Sequence, residues 1–233
     1  MQSNGSKLFP ALKAAFPHTI PVFAGYCFLG MSYGFLMKSS GFPFWYPILT
    51  SMVIFAGSME FMTVNLLLGA FDLVQALALT LMINARHLFF GLSMLGKYSH
   101  MGKKKPYLIF GLTDETFSVN CATEPPDDVD RSWFYFLITL LDHSYWVLGA
   151  TLGGIFGSLI SFNTEGLDFV MTALFVVILL EHLLTTADKR SAFSGMALSL
   201  AMLILFGADG FMLPAMASIL IVLTFAAKKE VAV

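Results

Sequence analysis

The chain has 233 residues, 57% of them hydrophobic and 12% charged, with a mean hydropathy of +0.77. Soluble domains are only about half apolar and about a quarter charged, so this composition excludes a water-soluble fold. A formal net charge of -2 without any basic run interleaved with aromatics argues against nucleic acid as a partner, and two cysteines, Cys27 and Cys121, offer neither a disulfide framework nor metal-ligand spacing.

Apolar segments cover about 17–37, 44–70, 73–96, 107–121, 133–160, 168–184, 191–207 and 210–227. They are apolar all round, whereas barrel strands of about ten residues would alternate, so helices remain the way to satisfy the backbone in lipid. The expected fold is all-α: a polytopic helical membrane protein of about seven to eight membrane segments, with one or two of them broken or re-entrant. No linker interrupts the series, so residues 1–233 read as a single integral membrane domain, with a cytoplasmic N-terminal tail over 1–13 and a C-terminal tail over 228–233.

In chain order, the first span has no Asp, Glu, Lys or Arg between Ala14 and Met37, enough to cross a hydrocarbon layer of roughly 30 Å. It is too long for a signal-peptide h-region and lacks a clean cleavage site. Its Gly30-x-x-x-Gly34, like Gly149, Gly153 and Gly157 further on, puts small residues on one face, where a neighbouring backbone can approach. The second span carries a charge at its middle, Glu60 in Phe55-Ala-Gly-Ser-Met-Glu-Phe61, next to the weak point Gly57-Ser58. A charge at such depth costs roughly 2.5–3.5 kcal/mol, so something must offset it. A broken helix would do so, because a half-helix N-terminus offers N–H donors and partial positive charge to a substrate carboxylate, and a nearby carboxylate suits an ammonium or a proton. The plain alternative is an interhelical hydrogen bond from Glu60.

The third span contains Asn84-Ala-Arg86-His87. Arg86 cannot shed its charge, so it must meet a carboxylate or a substrate anion, or snorkel to the interface. His87 points about a hundred degrees away from Arg86 and reads equally as a structural hydrogen bonder. The fourth holds two adjacent acids in Gly111-Leu-Thr-Asp-Glu-Thr-Phe117, where Asp114 or Glu115 could pair with Arg86 while Thr113 faces a cavity; a helix start capped by Thr113 or Asp114 is the simpler reading. Glu124 to Asp130 form a solvated acidic loop. Asp142-His143, beside Tyr145 and Trp146, and Glu181-His182 are lesser candidates.

Positive charge marks the cytoplasmic side, yet if every segment crosses, Lys103-Lys104-Lys105 falls opposite Lys7/Lys13, Lys189/Arg190 and Lys228/Lys229. A broken or re-entrant element at 44–70 or 107–121 removes part of the conflict. Halves of opposite orientation, as in transporters with inverted repeats, would account for the same arithmetic, although the halves share no convincing residue match.

Three of these motifs resemble, in order and spacing, the AzlC family of branched-chain amino acid permeases, also known as the YgaZ-type large subunit of amino acid exporters. Phe55-Ala-Gly-Ser-Met-Glu-Phe61 is similar to the family's Phe-Ala-Gly-x-x-Gln-Phe, Asn84-Ala-Arg86-His87 to its Asn-x-Arg-His, and Leu112-Thr-Asp-Glu-x-Phe117 to its Leu-Thr-Asp-Glu-x-Phe. Pro21, Tyr33-Gly-Phe35 and Gly166-Leu-Asp-Phe169 fit as well. Two positions depart from the pattern: Glu60 stands where the family usually has Gln, and Met171-Thr172 replaces a proline-containing phrase. The resemblance implies export of hydrophobic amino acids (valine, leucine, isoleucine, methionine) across the bacterial cytoplasmic membrane, driven by an ion gradient. It further implies a small AzlD-type membrane subunit as partner and leaves room for a higher oligomer; no cofactor is expected. The residues expected to bind substrate or couple transport are Gly57, Ser58, Glu60, Asn84, Arg86, His87, Thr113, Asp114, Glu115, Asp142 and His143. A pore-forming or scaffolding subunit is the competing reading. An intramembrane enzyme is disfavoured, since neither His-Glu-x-x-His nor Gly-x-Ser-x-Gly occurs.

Overall fold

Every regular element among the described residues is helical, as segments apolar on all sides require. The computed structural model describes residues 4–70, 72–157, 176, 180, 183–184, 189–211, 214–215, 217–219 and 221–222, in two units, Met1–Asp168 and Phe169–Val233. The first unit contains α1 (Asn4–Ser39), α2 (Trp45–Val53), α3 (Gly57–Leu68), α4 (Leu73–Met94), a 3-10 turn at Gly102–Lys104, α5 (Lys105–Phe110), α6 (Asp114–Ala122) and α7 (Arg131–Phe156). The second contains α8 (Arg190–Gly210). Among the described residues two stretches, Lys7–Ser39 and Arg190–Ala208, are long and apolar enough to cross a membrane. Most of the segment from 168 to 184, with Glu181-His182, and half of 210–227 lie outside the described residues.

Helix α1 begins at Asn4, so residues 4–13, expected as a tail, form its first turns, and Ala11 is fully buried. It runs parallel to α7: Lys7 pairs with Asp130 at 3.1 Å at one end, and Lys38 lies against Gly157 at the other. Glycine makes this contact possible. A Cβ on Gly30 would sit 2.7 Å from the Trp146 carbonyl oxygen, one on Gly149 would sit 2.7 Å from that of Cys27, and those on Gly34 and Gly153 would overlap the carbonyls of Ala150 and Met31. The small-residue faces read from the sequence are therefore the α1–α7 seam.

The segments 44–70 and 107–121 are both broken, at Ile54–Ala56 and Gly111–Thr113. Each folds back on itself. Helix α2 starts where Pro47 and Phe44 meet Gly154 and ends where the Ser51 carbonyl accepts from His143, after which α3 turns back and brings Phe61 onto Tyr33. Helix α4 then packs Leu79 and Ile83 against Met59, Met62 and Leu66, and runs to the opposite end, where Met94 joins Ala11, Ala15, Phe134 and Tyr135. From that end α5 starts with Lys104 3.5 Å from the centroid of the Trp133 ring and reaches Thr139 at Gly111, while α6 returns through Asn120 at Thr139 to Thr123 at the Tyr135 hydroxyl. Two hairpins of half-length helices thus enter from opposite ends of α7. Their breaks meet near its middle, where the Phe55 and Phe110 rings lie 6.2 Å apart.

At the α5–α6 end, Lys97 donates to the carbonyls of Asn120, Cys121 and Thr123 at 2.8–3.0 Å, a cation on the carbonyls that α6 leaves unsatisfied at its C-terminus. It also pairs with Glu124, which meets Arg131 as well, and Asp130 caps α7. The acidic loop is therefore paired with Lys7, Lys97 and Arg131. Because Asp130 holds Lys7 while its neighbour Ser132 accepts from Lys104, the basic N-terminus and the triple-lysine turn share one end of the unit.

Candidate functional site

The site forms where the two breaks meet. Phe55 has a positive φ of 42°, a region that costs a side-chain-bearing residue about 1–2 kcal/mol, and its ring stacks on His143 with centroids 4.3 Å apart. His143 accepts or donates through Nδ1 to the Tyr107 hydroxyl at 2.8 Å and contacts the Ser51 carbonyl through Nε2 at 3.1 Å. That carbonyl is one the interrupted α2 cannot satisfy by itself. His143 therefore closes the end of α2 and holds the strained residue beyond it.

Helix α3 restarts at Gly57, and Glu60, fully buried in its first turn, folds its Oε1 back to accept from the Ala56 N–H at 3.1 Å and from Trp146 Nε1 at 2.9 Å. Its Oε2 is buried without a hydrogen-bond partner among the described residues. A Cβ at Gly57 would approach the Trp146 ring to 3.1 Å, so glycine there lets the indole reach Glu60. The Tyr33 ring stacks on Trp146 with centroids 6.4 Å apart.

The second break is more fully satisfied. Thr113 caps α6, its hydroxyl accepting from the Thr116 N–H at 3.3 Å and contacting Tyr26 at 2.5 Å. Asp114 pairs with Arg86 at 3.0 Å, and the same guanidinium nitrogen donates to Ser58 at 2.7 Å. One α4 side chain therefore ties the first turn of α3 to that of α6. Glu115 accepts from Tyr26 at 2.8 Å, and Thr116 donates to Asp142 at 2.9 Å.

Gly57, Ser58, Glu60, Arg86, Thr113, Asp114, Glu115, Asp142 and His143 thus share one centre. His87 stands apart against Phe90, and Asn84 Oδ1 is buried without a partner among the described residues. Arg86 pairs rather than snorkels, and Thr113 takes the capping role. Residues that sequence reasoning passed over are Tyr26, Thr116 and, as the Glu60 donor, Trp146. A buried phenol or indole needs a polar partner, and that was the available signal. Further along α3, a hollow of about 300 Å³ is lined by Met62, Asn65, Leu66, Gly69, Ala70 and Leu79.

The family described as AzlC protein matches residues 21–160, the stretch that contains every one of these positions. The chain belongs to the AzlC family. It is 58% identical to the "Branched-chain amino acid transport protein AzlC" of Bacillus subtilis strain 168, over 94% of this chain and 86% of that protein. An "Uncharacterized membrane protein" of Haemophilus influenzae is 43% identical over 95% of this chain and 91% of its own length. The "Inner membrane protein YgaZ" of Escherichia coli K12 is 27% identical over 77% and 79% respectively. No solved structure matches the chain. Like these AzlC-family relatives, it is a membrane protein.

Proposed function

We propose that this chain is the large subunit of a secondary transporter that exports branched-chain and similar hydrophobic amino acids across the bacterial cytoplasmic membrane by alternating access, coupled to the proton gradient. The observation that carries the reading is the Arg86 bridge from Ser58 to Asp114, which joins two helix N-termini at the meeting of two breaks. Two N-termini and a guanidinium attract a carboxylate. Glu60 and Asp114 are the anions for an ammonium, and the Met62, Leu66 and Leu79 side of the hollow suits a branched alkyl group. A substrate carboxylate competing for Arg86 would loosen the tie between α3 and α6, which is the step that opens one side. The printed name of the Bacillus relative supports amino acid transport.

The proposed topology takes both hairpins as re-entrant and every other span as one crossing. Counted this way, six crossings and two re-entrant hairpins place Lys7/Lys13, Lys103-Lys104-Lys105, Lys189/Arg190 and Lys228/Lys229 all on the cytoplasmic side. The pairs α1 with its hairpin and α4 with its hairpin then form inverted repeats whose likeness is in path rather than in residues. The Leu77, Leu81, Leu88 and Leu92 stripe on α4 is exposed, and lipid or the small AzlD-type subunit covers it.

Proteoliposomes holding the full chain with its small partner, preloaded with labelled leucine or valine, test the proposal. Saturable efflux accelerated by an inward proton gradient is expected. Absence of amino acid movement in either direction overturns transport, and non-saturating conductance replaces the carrier with a pore.

A further inference from the structure

A continuous chain of oxygens joins two acids across three helices. Glu115 Oε2 lies 2.8 Å from the Tyr26 hydroxyl, Tyr26 lies 2.5 Å from Thr113 Oγ1, Thr113 lies 3.0 Å from Thr116 Oγ1, and Thr116 lies 2.9 Å from Asp142 Oδ2. Tyr26, Thr113, Thr116 and Asp142 are buried. Each of these four contacts is a hydrogen bond only if one hydrogen lies in it. The three hydroxyls supply three hydrogens, and an ionised carboxylate supplies none. One contact is therefore left with two oxygens facing each other without a proton, at hydrogen-bonding distance, unless a fourth proton is present.

We propose that Glu115 and Asp142 share that fourth proton, and that Tyr26, Thr113 and Thr116 form the relay that carries it between them. Two arrangements satisfy all four contacts. In one, Glu115 is the acid and donates to Tyr26, Tyr26 to Thr113, Thr113 to Thr116, and Thr116 to ionised Asp142. In the other, every donor is reversed and Asp142 is the acid. Passing from the first to the second moves each hydrogen one place along the chain. The O–H bond of Glu115 breaks, an O–H bond forms on Asp142, each hydroxyl gives up one hydrogen and receives another, and no charge is left on any hydroxyl. The proton enters from and returns to water.

The surrounding charges fit a site that holds one proton. Arg86 and Asp114 lie near Glu115 from α4 and α6 and offset each other, Glu115 is the charged neighbour of Asp142, and Glu60 occupies the other face of the centre on Trp146. Two ionised acids in addition would leave a surplus of buried negative charge, and one shared proton removes half of it. Asp142 Oδ1 has no hydrogen-bond partner among the described residues, so the second carboxyl oxygen is free to take the proton onward when the neighbouring helices move. The role of this relay in transport rests on the proton-coupled reading above; the existence of the shared proton does not.

Infrared difference spectroscopy of the full chain in lipid nanodiscs at neutral pH separates the two. In wild type a protonated-carboxyl band belongs to the pair. The Glu115→Gln amide supplies the missing donor to Tyr26, leaving Asp142 ionised, and the Asp142→Asn amide supplies it to Thr116, leaving Glu115 ionised. The band should vanish in each single variant, not only in the double. A band that persists unchanged in both variants overturns the shared proton, whether or not the chain transports. For the relay, Thr116→Val should slow gradient-driven efflux about tenfold while leaving exchange without a gradient near wild type, with Thr116→Ser restoring both rates. Equal slowing of efflux and exchange, or no slowing of efflux, overturns the relay even if the band behaves as stated.

Discussion

At the second break, Thr113 caps α6 through its own hydroxyl, Asp114 has its cation and Glu115 has its phenol; at the first, no side chain of the capping residue Ala56 helps, Phe55 sits at positive φ, and Glu60 reaches back to hold the Ala56 N–H with one oxygen while the other has no partner. The two hairpins have the same path and differ in how their breaks are held. The first break holds strain and an unmet acceptor at the same place, which puts a second arrangement within reach, whereas the second break has its cap and its ion pair and is the firmer wall. On the proposed transport cycle we infer that the α2–α3 hairpin is the moving element and the α5–α6 hairpin its support, with Arg86 as the tie between them.

Cutting that tie should have the largest effect. Removing one partner of a buried ion pair costs about 3–5 kcal/mol, and because both partners here are about a quarter exposed, the low end applies. If Arg86 holds the transport cycle together, Arg86→Ala should reduce the initial efflux rate on the order of 100-fold. Arg86→Lys should recover little, since the lysine stem is one bond shorter and does not carry its nitrogen to where Arg86 Nη2 meets both Ser58 and Asp114. Efflux within about threefold of wild type in the alanine variant would sever the link between the two hairpins. Glu60→Gln should act less strongly. Its carbonyl oxygen still accepts from Ala56 and Trp146, so the break keeps its shape, and transport should survive within about tenfold while its dependence on pH changes. An unaltered pH profile would remove Glu60 as a proton site and leave it a strut.

A finer contrast lies in the two short polar side chains, Ser58 and Thr113. Loss of an N-cap costs about 1 kcal/mol, so Thr113→Ala should lower the thermal midpoint of the purified protein. Among the described residues Ser58 caps no helix and receives Arg86, so Ser58→Ala should weaken half-saturation for substrate, an effect that Thr113→Ala should not have. The opposite pattern, with Ser58→Ala lowering the midpoint and Thr113→Ala weakening half-saturation for substrate, would exchange the wall and the moving element.

Much of this centre could be read from the chain itself. Glu60, Arg86 and Asp114 stand out because a charge in an apolar span demands compensation, and Gly57-Ser58 marks where a helix gives way. The glycine faces of α1 and α7 were equally plain. The docking of each hairpin on α1 and α7 was not, since Tyr26 reaches Glu115 across 89 residues and Glu60 meets Trp146 across 86, and no local period encodes such distances. The sequence marks His143 as a candidate binder, and in the structure it holds the end of α2, a role created by a break elsewhere. The first turns of α1 were misread because Lys7 and Lys13 signal an exposed tail; Lys7 is instead held by Asp130 and Ala11 is buried.

The smallest effect belongs outside both hairpins, at Asp130, and it serves as the control for the comparison. One carboxyl oxygen accepts from the Ser132 and Trp133 N–H groups at 3.1 Å, and the other pairs with Lys7. Partial burial pushes the Asp130 carboxyl up, but the Lys7 ammonium and the Trp133 N–H outweigh it and hold it below its ordinary value. A depressed carboxyl stabilises the fold at pH above its unfolded value of about 3.9, and that contribution disappears as pH falls through the folded value. Asparagine caps a helix as well as aspartate does, so Asp130→Asn loses only the ion pair, about 0.2–1 kcal/mol for an exposed partner. Its thermal midpoint should sit slightly below wild type at neutral pH, and the gap should close on acidification below the ordinary carboxylate range. The pH profile of efflux should stay that of wild type, because neither Asp130 nor Lys7 touches the meeting of the breaks. A gap that remains at low pH would mean that the charge on Asp130 contributes nothing. A displaced efflux profile would mean that the end of α7 takes part in coupling, and the line drawn between moving hairpin and fixed support would have to extend down the α1–α7 seam.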